Sequence, residues 1–219
     1  MRLLLDIGNS SVNWAMEEAG QFTIYGAFRY DKNIFDCLEA WVEQRWQLKC
    51  WQPSVSDKFN RLKNSYINTQ EMGIDRWLAM VAAWEKHQVA LCIVGCGTAL
   101  TIDSIDSQGN HLGGYIVPGI ELMQQALVMK TECINVSINK HASTDYAQDT
   151  QAAINNGAFL ATTSMIDHVV KRLSDKLETL PKCVIFGGMT ELISPLLQDQ
   201  FEHDPNLVLS GLSIVHRTS

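Results

Sequence analysis

Three short stretches of this 219-residue sequence carry residue types that can handle phosphate and protons. In the first, the apolar run Arg2 to Ile7 stops at Asp6-Ile-Gly-Asn-Ser. A tight turn with Gly, Asn and Ser points backbone N–H groups into a small concavity that suits phosphate oxygens. Asp6, at the end of that run, could hold Mg²⁺ directly or through water. The second stretch is Gly97-Thr-Ala, reached from a similar run that begins at Leu91. Laid over one another, the two pair Gly97 with Gly8, Thr98 with Asn9 and Gly95 with Asp6, a weak internal repeat. The third is Gly73-Ile-Asp-Arg, just ahead of an amphipathic pattern. A carboxylate at a helix start has a defined direction, so Asp75 could accept a hydroxyl proton while that oxygen attacks a γ-phosphate.

Each stretch has a plainer alternative. The glycine turns could be ordinary hairpin turns with Asp6 a turn-forming side chain, and Asp75 could be only the N-cap of its helix. Arg76 reads as a surface ion pair or as a cationic hand for an anionic substrate. The Gly113-Gly-Tyr and Pro118-Gly loop is open at its glycines and stiff at its proline. It could admit backbone amides to a ligand or simply turn the chain. Thr150 and Gly157 read as a cap and a close-packing contact, or as the border of the same cleft. Neither a Gly-x4-Gly-Lys-Ser/Thr loop nor a complete dinucleotide loop is present, since Leu100 stands where a third glycine would.

The elements that would position these residues can be read from periodicity. Arg2 to Ile7, Val12 to Met16 and Phe22 to Tyr30 suggest a three-stranded meander. From Asn33, Ile34, Leu38, Trp41, Val42 and Leu48 recur at helical period and predict a helix over that sheet. A strand is expected over Leu48 to Val55 and a short helix over Asp57 to Lys63. Ile74, Trp77, Leu78 and Val81 mark an amphipathic helix to about His87, with Trp77, Trp84 and Trp41 in the core. Beyond Gly119 we expect a helix from Ile120, a longer one from Thr150 to about Leu177, and a buried strand, Val184 to Phe186. A helix near Thr190 to Leu197 and a last strand at Leu207 to Leu209 close the pattern. Strands at the start and helices on the faces, twice over, give an α/β architecture in two halves, residues 1–88 and 89–219.

Seventeen Lys and Arg against 24 Asp and Glu leave a formal charge of −7, which repels nucleic-acid backbones and anionic lipid heads at long range. We therefore expect no nucleic-acid partner and no membrane attachment. The most apolar uncharged stretch, Val89 to Ile102, is too short to span a bilayer, and Leu3 to Leu5 are too few for a secretory signal. A cytoplasmic protein is expected. The six cysteines form no Cys-x-x-Cys and the six histidines no His-x-x-x-His, so buried reduced thiols are expected rather than disulfides or zinc.

Taken in order, the motifs resemble the type III pantothenate kinase family of the acetate and sugar kinase/Hsp70/actin superfamily. Asp6-Ile-Gly-Asn-Ser looks like its first phosphate loop, Gly73-Ile-Asp-Arg like its pantothenate-binding and catalytic segment, and Gly97-Thr-Ala-Leu-Thr-Ile-Asp like its second phosphate loop. Gly113-Gly-Tyr-Ile-Val-Pro-Gly matches a further signature. The resemblance implies an actin-like ATPase fold, two ribonuclease H-like halves around a cleft. It also implies ATP-dependent phosphorylation of pantothenate to 4′-phosphopantothenate, the first step toward coenzyme A. Asp75 would be the proton acceptor. ATP would be bound by Asp6, Ile7, Gly8, Asn9, Ser10, Ser11, Val12, Asn13 and Thr98, with Asp6 holding Mg²⁺. Tyr66, Gly73, Ile74, Asp75, Arg76 and Thr150 would bind pantothenate in a homodimer whose substrate sites lie near the subunit interface. Family members usually carry, in place of Gly95, an aspartate that binds a monovalent cation, K⁺ or NH₄⁺, so the sequence predicts a weak or absent K⁺ site. Asn13 stands where some members carry lysine, and the segment from Val55 to Tyr66 is short for the family. The alternatives are a non-catalytic or regulatory protein on the same scaffold, or a kinase of another small hydroxy compound.

Overall fold

Backbone pairing between consecutive strands decides the first three elements. A computed structural model describes residues 2–8, 11–29, 51–130 and 142–218. Strands β1 (Arg2–Ile7), β2 (Ser11–Glu18) and β3 (Gln21–Arg29) form an antiparallel meander in the order β1-β2-β3. Leu4 and Ala15, opposite one another in the register, point into the core, and Val12 is buried on the other face of β2. The register sets Asp6 opposite Asn13 and Trp14 opposite Gly26. A side chain at 26 would meet the Trp14 indole at 3.1 Å.

The next stretch corrects two expectations. Residues 51–56 form no strand, because Pro53 removes a ladder donor; residues 48–50 lie outside the described residues, as does the helix expected from Asn33. In place of a short helix, Asp57 to Lys63 holds the hairpin β4 (Lys58–Phe59) and β5 (Leu62–Lys63). Asn60 turns it with φ 51°, a left-handed conformation that asparagine tolerates well, and Leu62 seals its inner side. Lys63 N donates to Gly109 O at 2.8 Å, tying the hairpin to the second sheet.

Helix α1 (Ile74–His87) then leads into β6 (Leu91–Cys96), β7 (Ala99–Ile105) and β8 (His111–Pro118). After α2 (Ile120–Lys130) and α3 (Thr150–Leu177) come β9 (Lys182–Phe186), the one-turn α4 (Thr190–Ile193), β10 (Glu202–His203) and α5 (Leu207–Thr218). The five-stranded sheet has the order β10-β9-β6-β7-β8, with β9 parallel to β6 and to β10 and the rest antiparallel. The last strand expected at Leu207 to Leu209 is thus the start of α5. Three successive apolar residues suit a strand, but Leu212 and Val215 continue them at helical spacing, and Gly211 lets α5 press against the backbone of Leu78.

β6 shows how the core divides. Leu91 and Ile93 join a cluster that runs from Leu4 through α1 to α5, while Cys92, Val94 and Cys96 face Phe159, Ile166 and Ile193 on the other side. Trp77 and Trp84 lie in the first cluster, as the pattern predicts. Cys92, Cys96 and Cys183 are buried free thiols, also as expected. Among the described residues no helix is long and apolar enough to cross a membrane.

Candidate active site

The first glycine turn is closed by its own backbone, Gly8 N donating to Ser11 O at 2.9 Å. Beside it, Asn13 Nδ2 donates to Asp6 Oδ2 at 3.1 Å across the β1–β2 pair. Burial pushes the Asp6 carboxyl above its ordinary range; the Asn13 bond pulls it back, and the negative charge of Asp75 pushes it up again. The charge of Asp75 therefore bears on Asp6, which links the two acidic residues singled out by sequence. Ile7 is half-buried and Val12 is buried, so Val12 offers the turn only backbone. Asn9 and Ser10 lie outside the described residues.

Asp75 occupies the second position of α1, and the N-cap is Gly73, which makes no side-chain cap bond. The capping alternative for Asp75 therefore falls away: its carboxylate forms no hydrogen bond to any described residue and is exposed. Gly73 makes room for it, because a Cβ there would lie 2.6 Å from Asp75 Oδ1. At the helix N-terminus the backbone dipole favours the anion without consuming its proton-accepting oxygen.

The second turn is also self-closed, Gly97 N donating to Ala99 O at 3.1 Å. Glycines from two other elements press on it. Gly119 N donates to Thr98 O at 2.9 Å, and a side chain at 119 would strike the carbonyls of Gly97 and Thr98. Gly187, at φ +104°, lies against the backbone of Cys96, and Met189 N donates to Cys96 O at 3.2 Å. Pro118-Gly119 thus supports the loop. The position aligned with Asp6 is filled differently: a Cβ at Gly95 would lie 2.6 Å from Thr101 Oγ1 and 2.8 Å from Phe186 Cζ. Burial pushes the neighbouring Cys96 thiol up to about 12, which removes thiolate chemistry from the loop.

Behind Asp75 lies a buried polar circuit. Arg76 is 3% exposed and grips Asp103 with two bonds, Nε to Oδ2 at 2.9 Å and Nη2 to Oδ1 at 2.6 Å. Its Nη1 donates to Tyr66 Oη at 2.8 Å. Arg76 is therefore neither a surface ion pair nor a free cationic hand. Burial alone would raise the Asp103 carboxyl, but hydrogen bonds from His111 and Arg76, with the Arg76 charge, hold it below the ordinary carboxylate range. Gly114 explains the glycine pair on β8, since a side chain there would collide with Asp103 Oδ1. That glycine admits an ion pair rather than a ligand backbone.

Helix α3 is capped by Asp149, whose carboxylate accepts from Ala152 N at 2.8 Å, so Thr150 is its first residue and not its cap. Thr150 is exposed, and no described hydrogen bond joins it to the Asp75 region. A side chain at Gly157 would meet nothing within 4 Å, so the close-packing alternative does not hold. The family model for type III pantothenate kinase matches residues 32–172. The chain belongs to the type III pantothenate kinase family. Proteins named type III pantothenate kinase from Nitrosococcus oceani and Chromobacterium violaceum are 33% and 32% identical to it. They cover 98% and 100% of this chain, over 93% and 100% of their own lengths. Among solved structures, a conserved Baf family protein of Campylobacter jejuni superposes with a TM-score of 0.59 at 21% identity, covering 99% of this chain and 98% of its own. The ethanolamine utilization protein EutJ of Carboxydothermus hydrogenoformans superposes at 0.52 and 12%, covering 98% and 90%. These show the fold, and the α/β architecture expected from the sequence is the one present.

In this pantothenate kinase family member the structure gathers Asp6, Asn13 and Asp75 in one place and Tyr66, Arg76 and Asp103 in another, joined through consecutive residues of α1. Sequence reading missed three contributors. Asp103 and His111 are 27 and 35 positions from Arg76, and only strand pairing brings them to it. Gly187 carried a readable signal, a glycine pair directly after a buried strand.

Proposed function

We propose that this protein transfers the γ-phosphoryl group of ATP to the terminal hydroxyl of pantothenate, giving 4′-phosphopantothenate, the first step of coenzyme A biosynthesis. The observation that carries this reading is Asp75, an uncapped, unpaired carboxylate at the start of α1, set beside the half-buried Asp6. Asp75 takes the hydroxyl proton as the oxygen attacks, and Arg76, held by Asp103, fixes the turn from which Asp75 projects. Tyr66, Gly73 and Ile74 border the acceptor, and Thr150 and the homodimer belong to the same reading. Exposed Tyr115 and Ile116 on β8 and Leu122 and Leu127 on α2 supply apolar surface that supports a subunit contact. The nucleotide lies between the halves, 1–88 and 89–219, against the turns at Gly8 and Thr98. Phosphoryl transfer asks chiefly for alignment and charge neutralisation, which two rigid turns and one base provide.

A divalent cation, Mg²⁺ with ATP, suits Asp6: a hard oxygen donor, raised in energy by burial and by Asp75, gains from a cation beside it. Among the described residues no three His, Cys, Asp or Glu could hold a metal alone, which fits a cation shared with phosphate oxygens. When bound it offsets the charge on those oxygens. A monovalent cation does not fit at Gly95, where Thr101 and Phe186 fill the space and no carboxylate is available.

The test is ADP release by purified protein with Mg-ATP, with and without pantothenate, compared with Asp75→Asn. Pantothenate-dependent release that the substitution abolishes supports the reading. Equal, pantothenate-independent release by both proteins would sink it.

A further inference from the structure

His111 neither accepts the hydroxyl proton nor lines a phosphate turn, yet its side chain is fully buried and both ring nitrogens are engaged. Nε2 lies 3.0 Å from Asp103 Oδ1, and Nδ1 lies 3.0 Å from Ser65 Oγ. An ionised carboxylate only accepts, so Nε2 carries the hydrogen and donates to Asp103, while Nδ1 and the Ser65 hydroxyl share the second hydrogen bond.

These contacts close a circuit. Ser65 meets His111, His111 meets Asp103, Asp103 holds Arg76, and Arg76 donates to Tyr66, the residue next to Ser65. The Tyr66 ring also stacks on the His111 ring, with centroids 6.2 Å apart and planes 16° apart. Two consecutive residues of the segment ahead of α1 are thus pinned from two sides, Tyr66 by the helix and Ser65 by β8. Asp75 stands immediately before Arg76, so the same circuit fixes the origin of the catalytic carboxylate. Ser65, His111 and Asp103 do not make a nucleophile, because Asp103 is already neutralised by two bonds from Arg76 and its contact is to Nε2, with Ser65 on Nδ1.

We infer that His111 is a positioning residue for the acceptor side of the reaction: it orients Asp103 toward Arg76 and anchors Ser65, so that Tyr66 and the first turn of α1 keep one geometry around the pantothenate hydroxyl. The inference rests on the kinase reading and deepens it. It assigns the effect to the acceptor and not to the nucleotide, because the circuit acts through Tyr66 and through Arg76, the residue that follows Asp75 in α1.

Steady-state kinetics of His111→Ala, His111→Gln and Ser65→Ala test it, alongside hydrogen exchange over residues 64–77 without substrate. His111→Ala is expected to lower kcat/KM for pantothenate by about 10- to 100-fold, the scale of a misplaced reacting group, while leaving KM for ATP and nucleotide affinity near wild type. His111→Gln, which keeps a donor for Asp103, is expected to recover most of the loss, and Ser65→Ala to fall between. Exchange at 64–77 is expected to rise in the order wild type, Ser65→Ala, His111→Ala. A folded His111→Ala with unchanged pantothenate kinetics overturns the inference, as does a loss shared equally by both substrates or one that glutamine does not relieve. Should His111→Ala fail to fold, unchanged kinetics and exchange in Ser65→Ala, whose side chain is exposed, overturn it instead. Wild-type protein that ignores pantothenate would refute the kinase reading alone; the exchange series would still decide whether His111 holds the segment.

Discussion

The two glycine turns share a closing pattern and differ in what stands one step behind them. At the β1–β2 turn, Asp6 faces Asn13 and accepts its hydrogen bond, a carboxylate held ready at a cost to its own ionisation. At the β6–β7 turn the aligned position is Gly95, opposite Thr101, with the Phe186 ring over the empty side. One turn presents charge; the other is braced by Gly119 and Gly187 and presents only backbone and Thr98. A repeated hairpin thus divides the labour. The first places the electrostatics beside Asp75, and the second supplies a stiff wall that tolerates no added side chain.

If that division is right, the largest loss comes from the charged side. Asp75→Asn keeps the shape of the first turn of α1 but removes the proton acceptor, so kcat should fall about 100- to 10,000-fold with the fold intact. Next comes Asp6→Asn, expected to lower kcat/KM for ATP by about 100-fold. This change should also raise the melting temperature at pH 7. Burial holds the native Asp6 carboxyl above its unfolded value, so its ionised form costs stability once pH exceeds that unfolded value, and the cost vanishes in acid. Removing the charge removes the cost. A melting temperature that falls in Asp6→Asn would show that the carboxylate braces the turn and would erase the contrast.

The charged turn was the more legible in sequence, for a physical reason. Asp6, Gly8, Gly73 and Asp75 act through local geometry, a turn and a helix start, and such geometry is set by residue type within a few positions. The bounds of α1 and α3 are set equally by their apolar period. Arg76 was ambiguous because its partner is 27 residues away, and nothing local separates a buried ion pair from a surface one. Likewise the use of Gly114 and Gly119 depends on what another strand or loop brings near. Short segments failed where two structures fit the same residues: Lys58 to Lys63 is decided by the turn at Asn60, and Leu207 to Leu209 by the apolar period continuing at Leu212.

The neutral turn gives the third expectation. Gly95→Asp would restore a carboxylate, yet the new side chain must displace Thr101 Oγ1 and the Phe186 ring, an overpacking cost of about 1 to 3 kcal/mol. Denaturant unfolding should show that loss. Wild-type protein should turn over at the same rate in K⁺ and in Na⁺ at equal ionic strength. Strong K⁺ activation would mean that backbone carbonyls of the second turn bind the ion without a carboxylate.

The smallest effect belongs to Asn13→Ala. Its hydrogen bond to Asp6 contributes about 1 kcal/mol, so activity at pH 8 should change by about fivefold or less. The pH profile should move more than the rate. Asn13 is the group that pulls the Asp6 carboxyl down against burial and against Asp75, so removing it lets the carboxyl rise. Where turnover needs ionised Asp6, the acid limb of activity should then shift to higher pH, and the loss should deepen as pH is lowered from 8. An acid limb that stays in place would mean that the ionisation of Asp6 does not limit turnover and that Asp6 acts only after a cation has replaced the proton.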